Sequence, residues 1–162
     1  MGTPSKRTGE LDWGILSGSV GPRVRLLRNE LHGRSIVVSA PYGLPTGSLT
    51  VLALIAANPG SSQAALARRA GLNNSALVGI VDKLEQRGLV ERGRAANDRR
   101  RYQLTVTPAG RQMMETLFAV VTKEEASIRA ALGARDLAAL LALLDRVIVA
   151  LEEDASRGRG SG

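Results

Sequence analysis

The chain has 162 residues, 44% hydrophobic and 23% charged, with 22 Lys and Arg against 15 Asp and Glu, a formal net charge of +7. That length fits one domain, and that composition excludes wholesale disorder. With no cysteine and a single histidine, His32, the chain excludes disulfides, thiolate zinc, thiol nucleophiles and multi-histidine zinc sites.

The longest apolar stretch, residues 51–57, is far short of the roughly 20 residues of a membrane helix. No charged segment followed by an apolar one opens the sequence, so neither a membrane span nor a signal peptide is expected. A cytoplasmic location and no metal or cofactor are expected.

Residues 1–11 read as a disordered arm rich in Gly, Thr, Ser and basic residues. Leu16, Val20, Val24, Leu27 and Leu31 recur at helical spacing and predict a first long helix over about 12–39. Pro22 either kinks this helix or opens it. Residues 41–45 read as a turn. A second, apolar helix follows over 46–58, stopped by Asn58-Pro59-Gly60. Ser61 or Ser62 caps a third helix through Ala70, closed by Gly71. A fourth helix, over about 74–87, places Leu77, Ile80, Val81 and Leu84 on one face. It is capped by Asn73 and ended by Gly88.

Residues 89–92 and 102–106 have strand character, with a polar tip over 93–100. Pro108 opens a fifth helix to about Leu132, and a sixth covers about 134–154. In the sixth, Leu137, Leu140, Leu141, Leu144, Ile148 and Leu151 form an apolar stripe. Residues 156–162 read as a flexible tail. The expected class is mainly α with a small two- to three-stranded β-wing.

Charge is concentrated in the middle. Residues 61–111 hold 10 basic and 4 acidic side chains, whereas 1–60 hold 6 and 3, and 112–162 hold 6 and 8. A basic segment of this kind is the footprint of a nucleic-acid-binding module. The third and fourth helices, joined by Ala70-Gly71-Leu72-Asn73, form a helix-turn-helix, whose second helix enters the major groove.

Its outer face offers Asn73, Asn74, Ser75, Val78, Gly79 and Lys83, with Asp82 beside them. Asn pairs bidentately with adenine, Ser bonds bases or phosphate, and Val packs on a thymine methyl. Gly79 permits close approach. Ser62 and Gln63, at the start of the third helix, are candidates for the DNA backbone. Arg94, Arg99, Arg100 and Arg101 put positive charge on the hairpin tip, which suits the minor groove.

The ordered motifs between Gly43 and Gly110 resemble the multiple-antibiotic-resistance regulator (MarR) family of winged-helix transcription factors. They include Ser62-Gln63-Ala64-Ala65-Leu66-Ala67 and Val78-Gly79-Ile80-Val81-Asp82-Lys83-Leu84-Glu85-Gln86-Arg87-Gly88-Leu89-Val90-Glu91-Arg92. Asn97-Asp98-Arg99-Arg100-Arg101 and Leu104-Thr105-Val106-Thr107-Pro108-Ala109-Gly110-Arg111 complete the set.

The resemblance implies a single fold over 12–155, with a DNA-binding lobe at about 46–107 and dimerisation helices at about 12–40 and 108–155. It also implies a homodimer on a roughly palindromic double-stranded DNA operator, with repression relieved by a small aromatic or anionic effector. In the wing it implies that Asp98 orients Arg100. Two positions depart from the family: Pro45 stands where Thr is common, and Asn73-Asn74 where Asp-Arg is common.

For the effector, Arg28 and His32 lie one turn apart beside an apolar stripe and suit a carboxylate. The alternative is a solvated pair near Glu30 and Arg34. Tyr42 is a further candidate. A ligand-independent regulator controlled by a protein partner is the competing reading. No nucleophile-elbow, phosphate-loop, dinucleotide or zinc-protease motif occurs, so no enzyme is expected.

Overall fold

The computed structural model describes residues 11–95 and 98–159, with backbone alone at 94, 95, 98–102, 156 and 159. The described residues form two units, one ending at Arg111 and the other beginning at Gln112.

The first unit opens with a short 3-10 turn, Gly14–Leu16. The Asp12 carboxylate accepts from the Gly14 amide at 2.7 Å. Trp13 lies under the Arg23 guanidinium, 5.1 Å from the ring centroid. Arg23 also donates to the Ser19 carbonyl at 2.9 Å. The first long helix, α1, is therefore shorter than the sequence predicts and spans Val20–Ser39. Pro22 neither opens nor kinks it. It occupies the third helical position, where its missing N–H would have no intrahelical partner anyway. Only Val38 and Ser39 of α1 are buried, while Val20, Val24, Leu26, Leu27, Ile36 and Val37 face outward.

Helices α2 (Ser48–Ala57), α3 (Gln63–Arg69) and α4 (Asn74–Gln86) follow. Helix α2 begins behind Gly47, at φ 90, in the left-handed region where a side chain is strained. The buried Ser48 hydroxyl donates to the Pro45 carbonyl at 2.7 Å. Gly71, at φ 67, closes α3: its amide and that of Leu72 reach back to Arg68 and Ala67 at 3.1 and 2.9 Å.

Strands β1 (Val90–Ala95) and β2 (Asp98–Val106) form a two-stranded antiparallel hairpin, pairing Val90 with Val106 and Arg92 with Leu104. Both strands run further toward the tip than the sequence predicts. They leave only Ala96 and Asn97 to join them, and these two lie outside the described residues. Leu52, Ile55, Leu66, Leu77, Val81, Leu84, Val90 and Leu104 are all buried and build the core of this unit.

Helix α5 (Pro108–Glu124) starts against the hairpin root. The Thr107 hydroxyl donates to the Gly88 carbonyl at 2.7 Å and accepts from the Gly110 amide at 3.0 Å. A Cβ at Gly110 would lie 2.0 Å from the Leu89 carbonyl oxygen, so only glycine fits there.

In the second unit, α5 continues to Glu124 and α6 spans Ala126–Arg159, and helical bonds from the Glu125 and Arg129 amides to the Val121 and Glu125 carbonyls, at 2.9 and 3.0 Å, bridge the two. Gly133 interrupts α6 with φ 68 and ψ 174, where the sequence reading divides its fifth and sixth helices. The helix continues past Ser156, where the sequence reads as a tail. Leu117 is fully buried, whereas Leu141, Val147, Ile148 and Leu151 are exposed along α6.

Candidate nucleic-acid interface

Helix α4 has two chemically opposite faces. Leu77, Ile80, Val81 and Leu84 are buried, fixing the rotation of the helix about its axis. Asn73, Asn74, Ser75, Val78, Gly79 and Lys83 are exposed on the other side. The spacing that makes the helix amphipathic is therefore the spacing that presents this polar row.

Asn73 also holds the start of the helix. Its side-chain oxygen caps α4 by accepting from the Ala76 amide at 2.8 Å. The freer groups at the helix start are Asn74 and Ser75. Ser62 likewise caps α3, its hydroxyl accepting from the Ala65 amide at 3.2 Å. Gln63 is half-buried and meets Val78, Asp82 and Arg92 around an open groove of about 530 Å³. The structure thus brings together a residue from α3, two from α4 and one from β1. Arg68 and Arg69, which the motif reading did not single out, are exposed in the last turn of α3. They are favourably placed beside its C-terminal carbonyls and add positive charge near the turn into α4.

Gly79 is open. Nothing lies within 4 Å of where its Cβ would be, and its backbone is helical. Among the described residues, no contact requires glycine there.

Asp82 has a different task from its neighbours on the face. Its carboxylate accepts from the Arg92 guanidinium of β1. The other arm of Arg92 reaches Glu85 at 3.1 Å. Sequence spacing gave half of this signal, two carboxylates at i and i+3 on a helix. The cation that completes it comes from a strand, at no fixed sequence spacing from the helix.

The wing residues Arg94, Asp98, Arg99, Arg100 and Arg101 lie on the β1–β2 hairpin by their backbone. Pairing shifts register between Arg94 and Ala95. Their side chains lie outside the described residues. Arg28 and His32 are exposed on α1, one turn apart. Tyr42 is half-buried in a 3-10 turn, Ala40–Tyr42, and its carbonyl accepts from Arg87 at 3.1 Å. Arg87 thereby ties the end of α4 to the segment before α2.

Among the described residues, no group of three His, Cys, Asp or Glu side chains is placed to hold a metal ion. No helix among them is long and apolar enough to cross a membrane.

A helix-turn-helix followed by a two-stranded hairpin, on a mostly helical frame, defines a winged-helix protein. Residues 42–101 match the MarR family profile. A transcriptional regulatory protein described for the hcr operon of Thauera aromatica is 33% identical over 141 residues, 85% of this chain and 84% of that one. The chain belongs to the MarR family of transcriptional regulators.

Solved structures agree. The transcriptional repressor CouR bound to a 23-mer DNA duplex superimposes with a TM-score of 0.72 at 32% identity, covering 85% of this chain and 98% of that one. CouR from Rhodococcus jostii RHA1 bound to p-coumaroyl-CoA gives 0.72 at 28% identity, covering 82% and 94%.

Proposed function

We propose that this regulator is a cytoplasmic dimeric repressor that binds a roughly palindromic operator and is released by a small aromatic or anionic ligand. The observation that carries the DNA reading is the exposed row Asn74, Ser75, Val78, Gly79 on α4, locked outward by four buried apolar residues. It lies within the segment that concentrates the chain's positive charge. Asn74 and Ser75 read base edges, Val78 packs on a thymine methyl, and the wing arginines, with Asp98 orienting Arg100, enter the minor groove. Ser62 and Gln63 meet the backbone.

The lobe at about 46–107 is the reading part, and the helices at 12–40 and 108–155 pair two copies. Exposed apolar rows on α1 and α6 support that pairing, since each leaves large aliphatic side chains facing outward. Release by a ligand is supported by the likeness to a repressor solved with an aromatic acyl thioester. Arg28, His32 and Tyr42 are the proposed contacts for such a ligand.

The test is selection of duplexes from a random-sequence pool, followed by fluorescence anisotropy with and without p-coumarate or p-coumaroyl-CoA. The expected result is a two-fold-symmetric site with half-sites roughly 34 Å apart. A ligand should lower affinity for it and raise the melting temperature of the free protein. No sequence enrichment over random DNA would overturn the operator reading. No response to any aromatic acid or thioester would overturn the ligand reading and favour control by a partner protein.

A further inference from the structure

Beyond the residues that face outward on α4, one charged cluster joins the base-reading helix to the wing. Arg92 of β1 donates through one arm to Asp82 and through the other to Glu85, at 3.1 Å. The two carboxylates sit one helical turn apart on α4, and the guanidinium fork suits such a pair. Side-chain exposure is 29% for Arg92, 48% for Asp82 and 39% for Glu85, so the head groups are partly shielded from water.

The placement along the hairpin matters. Val90 is buried and anchors the root of β1. The next residue on the same strand face is Arg92. After it comes Gly93, exposed, with nothing within 4 Å of its Cβ position. A two-stranded ribbon is marginal by itself. At the level of Arg92 this one is held on β2 by the buried Leu104 and on β1 by the Arg92 cluster, the last described tie between β1 and α4 before the tip.

Asp82 is also an anomaly of charge. It lines the groove with Gln63, Val78 and Arg92, on a surface where a carboxylate opposes phosphate. A residue there that did nothing but face DNA would weaken binding.

We infer that the Asp82–Arg92–Glu85 cluster sets the angle between the recognition helix and the wing, and that Arg92 is a positioning residue for operator reading. This rests on the DNA-binding reading above. Held at one angle, α4 and the hairpin engage adjacent grooves together. Released, the wing samples orientations in which only one of them engages.

The experiment measures operator and random-DNA affinity for Asp82→Asn, Arg92→Lys and each of these combined with Arg100→Ala. Asp82→Asn removes a negative charge, so simple electrostatics requires tighter binding. Positioning requires the opposite, a loss of roughly threefold to tenfold on the operator, the scale of partly exposed ion-pair networks. Arg92→Lys keeps the charge but loses the fork, and the same loss is expected. In the Arg100→Ala background either change should cost far less, because the wing contact it positions is gone.

Equal or tighter operator binding by Asp82→Asn would overturn the inference. So would a loss of undiminished size in the Arg100→Ala background. Arg92→Lys supplies the same decision if Asp82→Asn does not fold. A wild-type protein with no operator preference would instead sink the DNA reading itself.

Discussion

Gly79→Ala separates the folding value of a residue from its binding value. Gly79 is the sixth of 13 residues in α4, flanked by exposed Val78 and buried Ile80. The added methyl meets no atom within 4 Å and the backbone is already helical, so neither clash nor strain opposes it. Alanine should then gain about 0.8–1 kcal/mol of helix propensity. In a chain of this size that raises the melting temperature by roughly 2–4 °C.

Against DNA the same methyl occupies space that the groove wall would fill. Overpacking of a closely fitted contact costs about 1–3 kcal/mol, so operator affinity should fall by roughly fivefold to 150-fold. Far-ultraviolet circular dichroism reads the melt, and anisotropy of a labelled operator reads the affinity. A more stable protein with unchanged affinity would refute close approach of this helix face. A melting temperature that stays level or falls would refute the propensity argument.

The other expectations are narrower. Asn74→Ala should cost about 1–3 kcal/mol at a single operator position and relax specificity there; equal losses on operator and random DNA would exclude a base contact. Arg100→Ala should weaken all DNA binding and reduce the slope of log affinity against log salt by about 1; an unchanged slope would remove Arg100 from the phosphate-facing wing. Gly110→Ala forces a carbon to 2.0 Å from the Leu89 carbonyl oxygen, so it should lower stability by several kcal/mol, as backbone shifts of this kind do. Denaturant unfolding measures this, and a loss under about 0.5 kcal/mol, the scale of ordinary surface changes, would show that α5 is free to shift at its start.

The reading lobe was legible because its signals are local. Asn73 and Ser62 cap, Gly71 and Gly88 stop, and the period of Leu77, Ile80, Val81 and Leu84 orients α4. Each of these acts within one or two turns of chain. The start of α1 differs because Leu16 and Val20 continue an apolar period across Ser19, whose backbone is extended at φ −87 and ψ 135. Period reports which side chains share a face but not where the backbone leaves it.

The break between the last two helices is legible for the same local reason, since Gly133 marks it with φ 68. The Arg92 cluster and the fit of Gly110 under the hairpin join residues from different elements, and neither leaves a pattern in one stretch of sequence. Asn73 shows the reverse limit: one residue type serves both capping and adenine reading, and its bond to Ala76 shows the first of these.

The chain has one tryptophan, and it sits in the turn before α1 with a guanidinium 5.1 Å from its ring centroid. Intrinsic fluorescence is therefore an address rather than an average. Excited at the indole band, the protein reports the loosening of Trp13 from Arg23 and not the melting of α4. Titrations followed by this emission register what happens at the beginning of α1. Agreement or lag between that signal and the helical circular dichroism would show whether this end of the chain unfolds with the reading lobe or ahead of it.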